Sequence, residues 1–336
     1  MTADLVEAGP APRRIIRMPA DRAGWLRERG VYVAIVVLVL FNLAFTPHYT
    51  LGNAAQLLSK QLPTVLIVAL GMALVIGTGG IDLSVGATMA LASAVVAKVV
   101  APASAHGFHQ AFAVAVIAAL AAGALMGLIN GFSVAVLHVQ PIVATLSLLV
   151  GVRGIALVLT GGGLVELFVP QFKTLRAGTL LGVQYMMIIA FVLAIIVAVL
   201  VRRTTFGYRL LAIGGNLRAS VLAGLPVRRT LFTVYAISGI LAAISGVLLT
   251  AQIRASDPSY LGVLYELDAI TAVVVGGTPL TGGKVRVLGT VAGATLMLML
   301  TTTLTAHNQP HSVAQVVEAV IIVLAVYIQR SKRSSE

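Results

Sequence analysis

The chain is a succession of apolar blocks, most of them near the ~20 residues that a helix needs to cross hydrocarbon, divided by short polar stretches. Ten blocks are legible: 31–45, 62–77, 84–101, 111–137, 141–160, 180–201, 230–252, 264–277, 287–306 and 312–329. Only 10% of the 336 residues are charged and 59% are hydrophobic, whereas an ordinary soluble domain is roughly 25% charged. A mean hydropathy of +1.01 excludes a soluble globular enzyme. The expected fold class is an all-α polytopic membrane protein with about ten transmembrane or partly spanning helices. The block at 264–277 is short and carries acids at its start, so a broken or re-entrant helix is expected there. The first block has the arginine-rich approach of a signal peptide, but Thr46-Pro47-His48-Tyr49 offers no small-residue cleavage site, and it reads as a retained helix.

Charge sets the expected orientation. With the N-terminus inside, that side collects Arg13, Arg14, Arg17, Arg22, Arg27 and Arg29, then Arg202, Arg203, Arg209, Arg218, Arg228 and Arg229, then Lys284 and Arg286, and finally Arg330, Lys332 and Arg333. The opposite side receives Lys60, Lys98, Lys173, Arg176 and Arg254. Seventeen against five gives N-in/C-in by the positive-inside rule. The net charge of +12 is therefore a topology signal, not a nucleic-acid patch. Residues 1–30 read as a basic cytoplasmic segment, 31–329 as a single membrane domain and 330–336 as a cytoplasmic tail.

Within the largest cytoplasmic connection, 202–229, Asn216 is placed to cap a short helix through Leu217, Arg218, Val221 and Leu222, with Gly224 before Leu225-Pro226 as its stop. Either this is a solvated basic loop facing anionic lipid, or it presents a helix to a partner. Gly77-Thr78-Gly79-Gly80-Ile81-Asp82-Leu83-Ser84 joins two blocks. Irregular backbone and a carboxyl group at membrane depth are tolerated only where protein or a wet cavity surrounds them. Asp82 either caps the next helix with Ser84 or lines a polar pathway, and the two roles are compatible. Arg153 lies mid-block and needs a carbonyl, a water or an acid. The acids near apolar blocks are Asp82, Glu266, Asp268 and Glu318. Glu266 and Asp268, two apart, fall about 200° apart on a helix and cannot form a dyad.

Cysteine is absent, which removes disulfides, thiolate nucleophiles and Cys-ligated zinc. The six histidines fall mostly in expected loops, and no metal site or cofactor is expected. Gly-Gly-Thr-Pro-Leu-Thr-Gly-Gly-Lys at 276–284 mimics a phosphate loop, but Thr278 stands at the required first glycine and Val285 follows Lys284 where Ser or Thr is needed. Gly123, Gly127 and Gly131, like Gly289 and Gly293, recur every four residues, a spacing that lets helices approach closely. Glycine-rich turns before 85–89 and near 293–297 weakly relate two halves of the chain.

Several of these segments together resemble the permease subunits of bacterial ABC importers for monosaccharides, in the ribose, xylose, arabinose and galactose branch. They are Gly71-Met72 through Thr78-Gly79-Gly80-Ile81-Asp82-Leu83-Ser84-Val85-Gly86, Asn130-Gly131, Gln140-Pro141-Ile142-Val143-Ala144-Thr145-Leu146, Arg153-Gly154, Glu266-Leu267-Asp268-Ala269-Ile270 and the glycine-rich turn ending in Lys284. The likeness covers nearly all of the chain after residue 60, with galactofuranose-type and ribose-type features mixed. It implies a non-enzymatic transport subunit in the bacterial inner membrane. The implied partners are a separate ABC ATPase, a periplasmic sugar-binding protein and a second permease. Asp82, Ser84, Asn130, Gln140, Thr145, Arg153, Glu266, Asp268 and Glu318 would be pathway or structural polar groups. Asn216, Leu217, Arg218, Val221, Leu222 and Gly224 would form the ATPase contact. The competing class is an ion- or proton-coupled secondary transporter using Asp82, Arg153 and Glu318 as a relay.

Overall fold

The computed structural model describes residues 22–47, 49–100 and 108–330. The chain runs α1 (Arg22–Phe45), α2 (Leu51–Gly77), α3 (Val85–Val100), α4 (Phe108–Ala135), α5 (Pro141–Thr160), β1 (Val165–Glu166), α6 (Pro170–Ala177), β2 (Thr179–Leu180), β3 (Val183–Gln184) and α7 (Tyr185–Arg203). It continues through α8 (Thr205–Gly215), α9 (Leu217–Leu222), α10 (Val227–Ile253), β4 (Ala255–Ser256), α11 (Tyr265–Val275), α12 (Val287–Ala306) and α13 (His311–Arg330). Among the described residues, six helices are long and apolar enough to cross a membrane: α2, most of α4, α5, α7, α10 and α12. Helices also occupy the other four expected blocks: α1, α3, α13 and the eleven-residue α11.

Several boundaries depart from expectation for local reasons. α2 starts eleven residues before its apolar block because the Thr50 hydroxyl accepts the N–H of Asn53 (3.1 Å), capping the helix. The polar stretch that hid this turn lies largely exposed. α1 likewise begins within the expected basic segment, at Arg22. The block expected at 180–201 begins instead as a hairpin, β2 antiparallel to β3, and its two loop residues, Leu181 and Gly182, both have positive φ (52° and 80°), as a type I′ turn requires. A second two-stranded ladder pairs β1 with β4, so the chain is mostly helical but not purely α.

The core is built around α2, whose residues from Leu62 to Gly77 are almost all buried. A helix apolar on every side belongs in the interior, and here α7, α10, α11 and α12 surround it. The packing is reciprocal between halves. α2 lies on α10, α11 and α12, while α10 lies on α2, α3 and α4. In each half a 27-residue helix is followed by a non-helical break, 78–84 after α2 and 254–264 after α10, and then by a shorter helix. The glycine stripes are the contact surfaces. A methyl group at Gly123 would collide with Gly239 and Ala243 of α10, one at Gly127 with the Tyr235 carbonyl, and one at Gly293 with the Ala272 carbonyl of α11. Backbone-to-backbone approach of this kind is what small residues permit where helices associate by packing alone.

Candidate functional site

The two breaks carry the polar groups. After α2, the chain leaves helical geometry at Thr78 and turns through Gly79 (φ 82°). Asp82 ends up fully buried, and four donors from three elements converge on it. Its Oδ1 accepts the backbone N–H of Ser84 (3.0 Å), the Ser84 hydroxyl (2.6 Å) and the Asn130 amide of α4 (3.3 Å). Its Oδ2 accepts the Ser238 hydroxyl of α10 (3.0 Å). The Asn130 amide also donates to Ser84 Oγ at 2.7 Å. Asp82 thus turns the chain into α3, the capping role read from the sequence, and ties α3, α4 and α10 together. Thr145, fully buried on α5, donates to the Ile81 carbonyl (3.3 Å) and the Pro141 carbonyl (2.9 Å), securing the same break from another side. Gln140 is exposed and serves through its backbone, accepting Ala144 N–H at 3.1 Å in front of Pro141.

Arg153 binds the other break. Its Nη1 donates to the Pro258 carbonyl (2.6 Å) and the Leu261 carbonyl (3.3 Å), with Glu266 at longer electrostatic range. Among the described residues its hydrogen-bond partners are therefore carbonyl groups of the 254–264 segment, and of the candidate acids Glu266 acts on it through charge alone. Asp82 is committed elsewhere, Asp268 lies on another face of α11, and the side chain of Glu318 lies outside the described residues. This segment folds tightly enough to place Arg254 and Leu264 at φ 57° and 67°. The second break packs against the first turn of α3: a side chain at Gly86 would run into the Gly262 carbonyl and Glu266, and one at Gly262 into the Gly86 carbonyl.

Glu266 and Asp268 face apart, as their spacing requires. Glu266 turns toward Gly86, whereas Asp268 lines a cavity of about 510 Å³ among α2, α10, α11, α12 and α13. Gln61, Thr64, Gln252 and Thr301 share that lining. None of these four was singled out from the sequence, because isolated glutamines and threonines inside apolar blocks carry no local signal. The same holds for Asn42, which reaches Thr303 at 2.8 Å and fastens α1 to α12.

At one end of the bundle, Asn216 Oδ1 accepts the N–H of Ala219 (2.9 Å), capping α9, and Gly224 (φ 72°) terminates it. Leu217, Val221 and Leu222 are all exposed, Leu222 to 88%, and Arg218 is exposed beside them. The sequence showed this helix but not α8 before it. Five glycines meet beneath α8. Gly283 N–H donates to the Gly77 carbonyl (3.0 Å), Gly282 lies against Gly79, and Gly214 of α8 packs on both Gly77 and Gly283.

The model of the family described as branched-chain amino acid transport system / permease component matches residues 53–326. The galactofuranose transporter permease protein of Escherichia coli is 38% identical, covering 94% of this chain and 93% of the relative. The ribose import permease protein of the same organism is 36% identical over 92% and 95%. The L-arabinose ABC transporter permease protein of Azospirillum brasilense is 31% identical over 97% and 95%. No solved structure matches the chain. With one family model spanning the helices from α2 into α13, and such identity along more than nine-tenths of its length, the chain belongs to this family of ABC importer permease components.

Proposed function

We propose that this chain forms the membrane pathway of an ATP-driven importer for a monosaccharide delivered by a periplasmic binding protein. The observation that carries the reading is the near full-length likeness to permeases named for galactofuranose, ribose and L-arabinose. ATP is hydrolysed by a separate subunit, in keeping with the failed phosphate-loop pattern at 276–284. The exposed ridge of α9 seats in that ATPase, and a second permease, identical or related, completes the pore in the bacterial inner membrane.

In this reading all ten apolar helices belong to one membrane domain, with both termini inside. Contacts between the connecting segments support the arrangement. Gly77, Gly214 and Gly283 meet at one end, near Lys284 and Arg286, while β1 pairs with β4 at the other end of α10. These groupings match the two sides assigned from charge. The ion- or proton-coupled alternative needs Asp82, Arg153 and Glu318 in one relay. Among the described residues Asp82 and Arg153 have no hydrogen-bond partner in common, which favours the ATP-driven reading. Proteoliposomes containing the permease, its ATPase and its binding protein are expected to show sugar-stimulated ATP hydrolysis and accumulation of one or more sugars from a panel of pentoses and hexoses. ATP-independent uptake driven by a proton gradient would overturn the reading.

A further inference from the structure

We propose that the cavity beside α11 holds the sugar in transit, through the Asp268 carboxyl group and the carboxamides of Gln61, Gln252 and Gln315. The proposal rests on the import reading above. The cavity, about 510 Å³, falls within the roughly 300–1,000 Å³ of small-molecule sites. It lies between helices of both halves, so it can change shape when they move against each other.

The chemistry of the lining selects the class of solute. Carboxamides both donate and accept, a carboxylate accepts at two oxygens, and the threonine hydroxyls do either. That mixture suits a ligand whose hydroxyl groups each donate and accept. The remaining wall is leucine, valine, methionine, Ala319 and Tyr265, suited to the C–H faces of a sugar ring. Among the described residues no Lys, Arg or His lines the cavity, so nothing there compensates a phosphate or carboxylate. The solute is therefore neutral and polyhydroxylated, and phosphorylated sugars are rejected. The Gln252 side chain borders the cavity, and its Oε1, buried beneath the lining, has no hydrogen-bond partner among the described residues, a state that buried polar atoms rarely keep.

Because the chain contains no cysteine, single-cysteine variants report on the site directly. Gln61→Cys and Gln252→Cys, with Leu181→Cys on the exposed β2–β3 turn (97% exposed) as control, would be assembled with the ATPase and binding protein in proteoliposomes. They would then be labelled with a small water-soluble methanethiosulfonate during turnover. A sugar that the wild-type importer accumulates should slow labelling at both cavity positions at least threefold and leave Leu181→Cys unchanged, while that sugar's phosphate ester should protect neither. Alongside, Asp268→Asn and Gln252→Leu should each raise the half-saturating sugar concentration for uptake about threefold to tenfold, the range expected for one net hydrogen bond. Equal labelling with and without a transported sugar would overturn the proposal and leave the import reading intact, and so would labelling of Leu181→Cys alone. Failure of the wild type to accumulate any sugar of the panel would overturn the import reading itself, and this site with it.

Discussion

The backbone N–H of Gly283 donates to the carbonyl of Gly77 at 3.0 Å, and Gly214 closes over that bond so tightly that a Cβ there would overlap the Gly77 carbonyl and lie 2.6 Å from the Gly283 nitrogen. The joint connects the end of the central helix α2, the 276–286 turn and the helix α8 that leads into α9. In the proposed importer, motion delivered to α9 would pass to the core through packed contacts of this kind, since interiors transmit displacement as close-packed solids do.

Gly214→Ala should therefore cut sugar uptake at least tenfold while the permease still inserts and still binds its ATPase. Gly215→Ala, next in the chain and with open space around its Cβ position, should behave as wild type. Uptake and ATPase co-purification measured on both variants check the pair, and equal transport by the two would show that the joint is not used.

The Asp82 cluster should be read as stability. Ser238→Ala removes one of its four donors and should cost about 1–3 kcal/mol, the usual penalty for leaving a buried polar group short of a partner. Asp82→Ala should cost more, since it strands donors from Ser84, Asn130 and Ser238 together. Thermal unfolding in detergent should rank wild type above Ser238→Ala and Ser238→Ala above Asp82→Ala.

How far the sequence reached depended on how local the signal was. Asn216 and Gly224 delimit α9 because a cap and a left-handed stop are short-range chemistry, legible within the nine residues 216–224. Asp82 was legible as a buried turn residue, but Ser238, 156 positions away, was not, because nothing near Ser238 marks it apart from other small residues of α10. Arg153 announced a need for a partner without naming it: the 254–264 carbonyls that satisfy it belong to a break whose depth is set by packing against Gly86. α8 was missed since Thr204, which caps it by accepting Gly207 N–H (3.3 Å), sits amid arginines that read as loop. The hairpin at 179–184 was absorbed into an apolar block because hydropathy alone does not register the two positive-φ residues that turn it.

Arg153 and Arg176 offer a contrast in depth. Arg153 holds two carbonyl oxygens of the inner break, whereas Arg176 is exposed and makes a single long bond to the Gln252 carbonyl (3.5 Å). Arg153→Ala should lower membrane expression or uptake at least fivefold, and Arg176→Ala less than twofold. Comparable values for the two would mean that the 254–264 segment keeps its fold without the guanidinium group.

Orientation can be checked without partners. A phosphatase reporter fused after residue 178 should be active in the periplasm, and one fused after residue 215 inactive, as the asymmetry of basic residues requires. The opposite pattern would invert the whole assignment and place α9 where no ATPase could reach it.

The last expectation concerns α9 itself. A six-residue helix gains little from its own hydrogen bonds, so its cap and stop hold it: Asn216 Oδ1 on Ala219 N–H, and Gly224 N–H on the Val221 carbonyl at 3.0 Å, followed by Leu225 N–H on the Ser220 carbonyl at 3.0 Å. Ser220 faces inward, while Leu217, Val221 and Leu222 stand out at 53%, 58% and 88% exposure. Apolar side chains held rigidly in water contribute nothing to folding, and a clustered patch of them marks a contact surface. Leu222→Asp should leave the permease folded, because the side chain touches no core, yet reduce recovery of the ATPase with the purified permease at least tenfold. Asn216→Ala, which loosens the helix by about 1 kcal/mol, should weaken recovery only a fewfold. Arg218→Ala should act mainly through salt sensitivity, as rim charges do. Co-purification at low and high salt separates the three effects, and full ATPase recovery with Leu222→Asp would leave α9 a solvated linker and move the contact elsewhere.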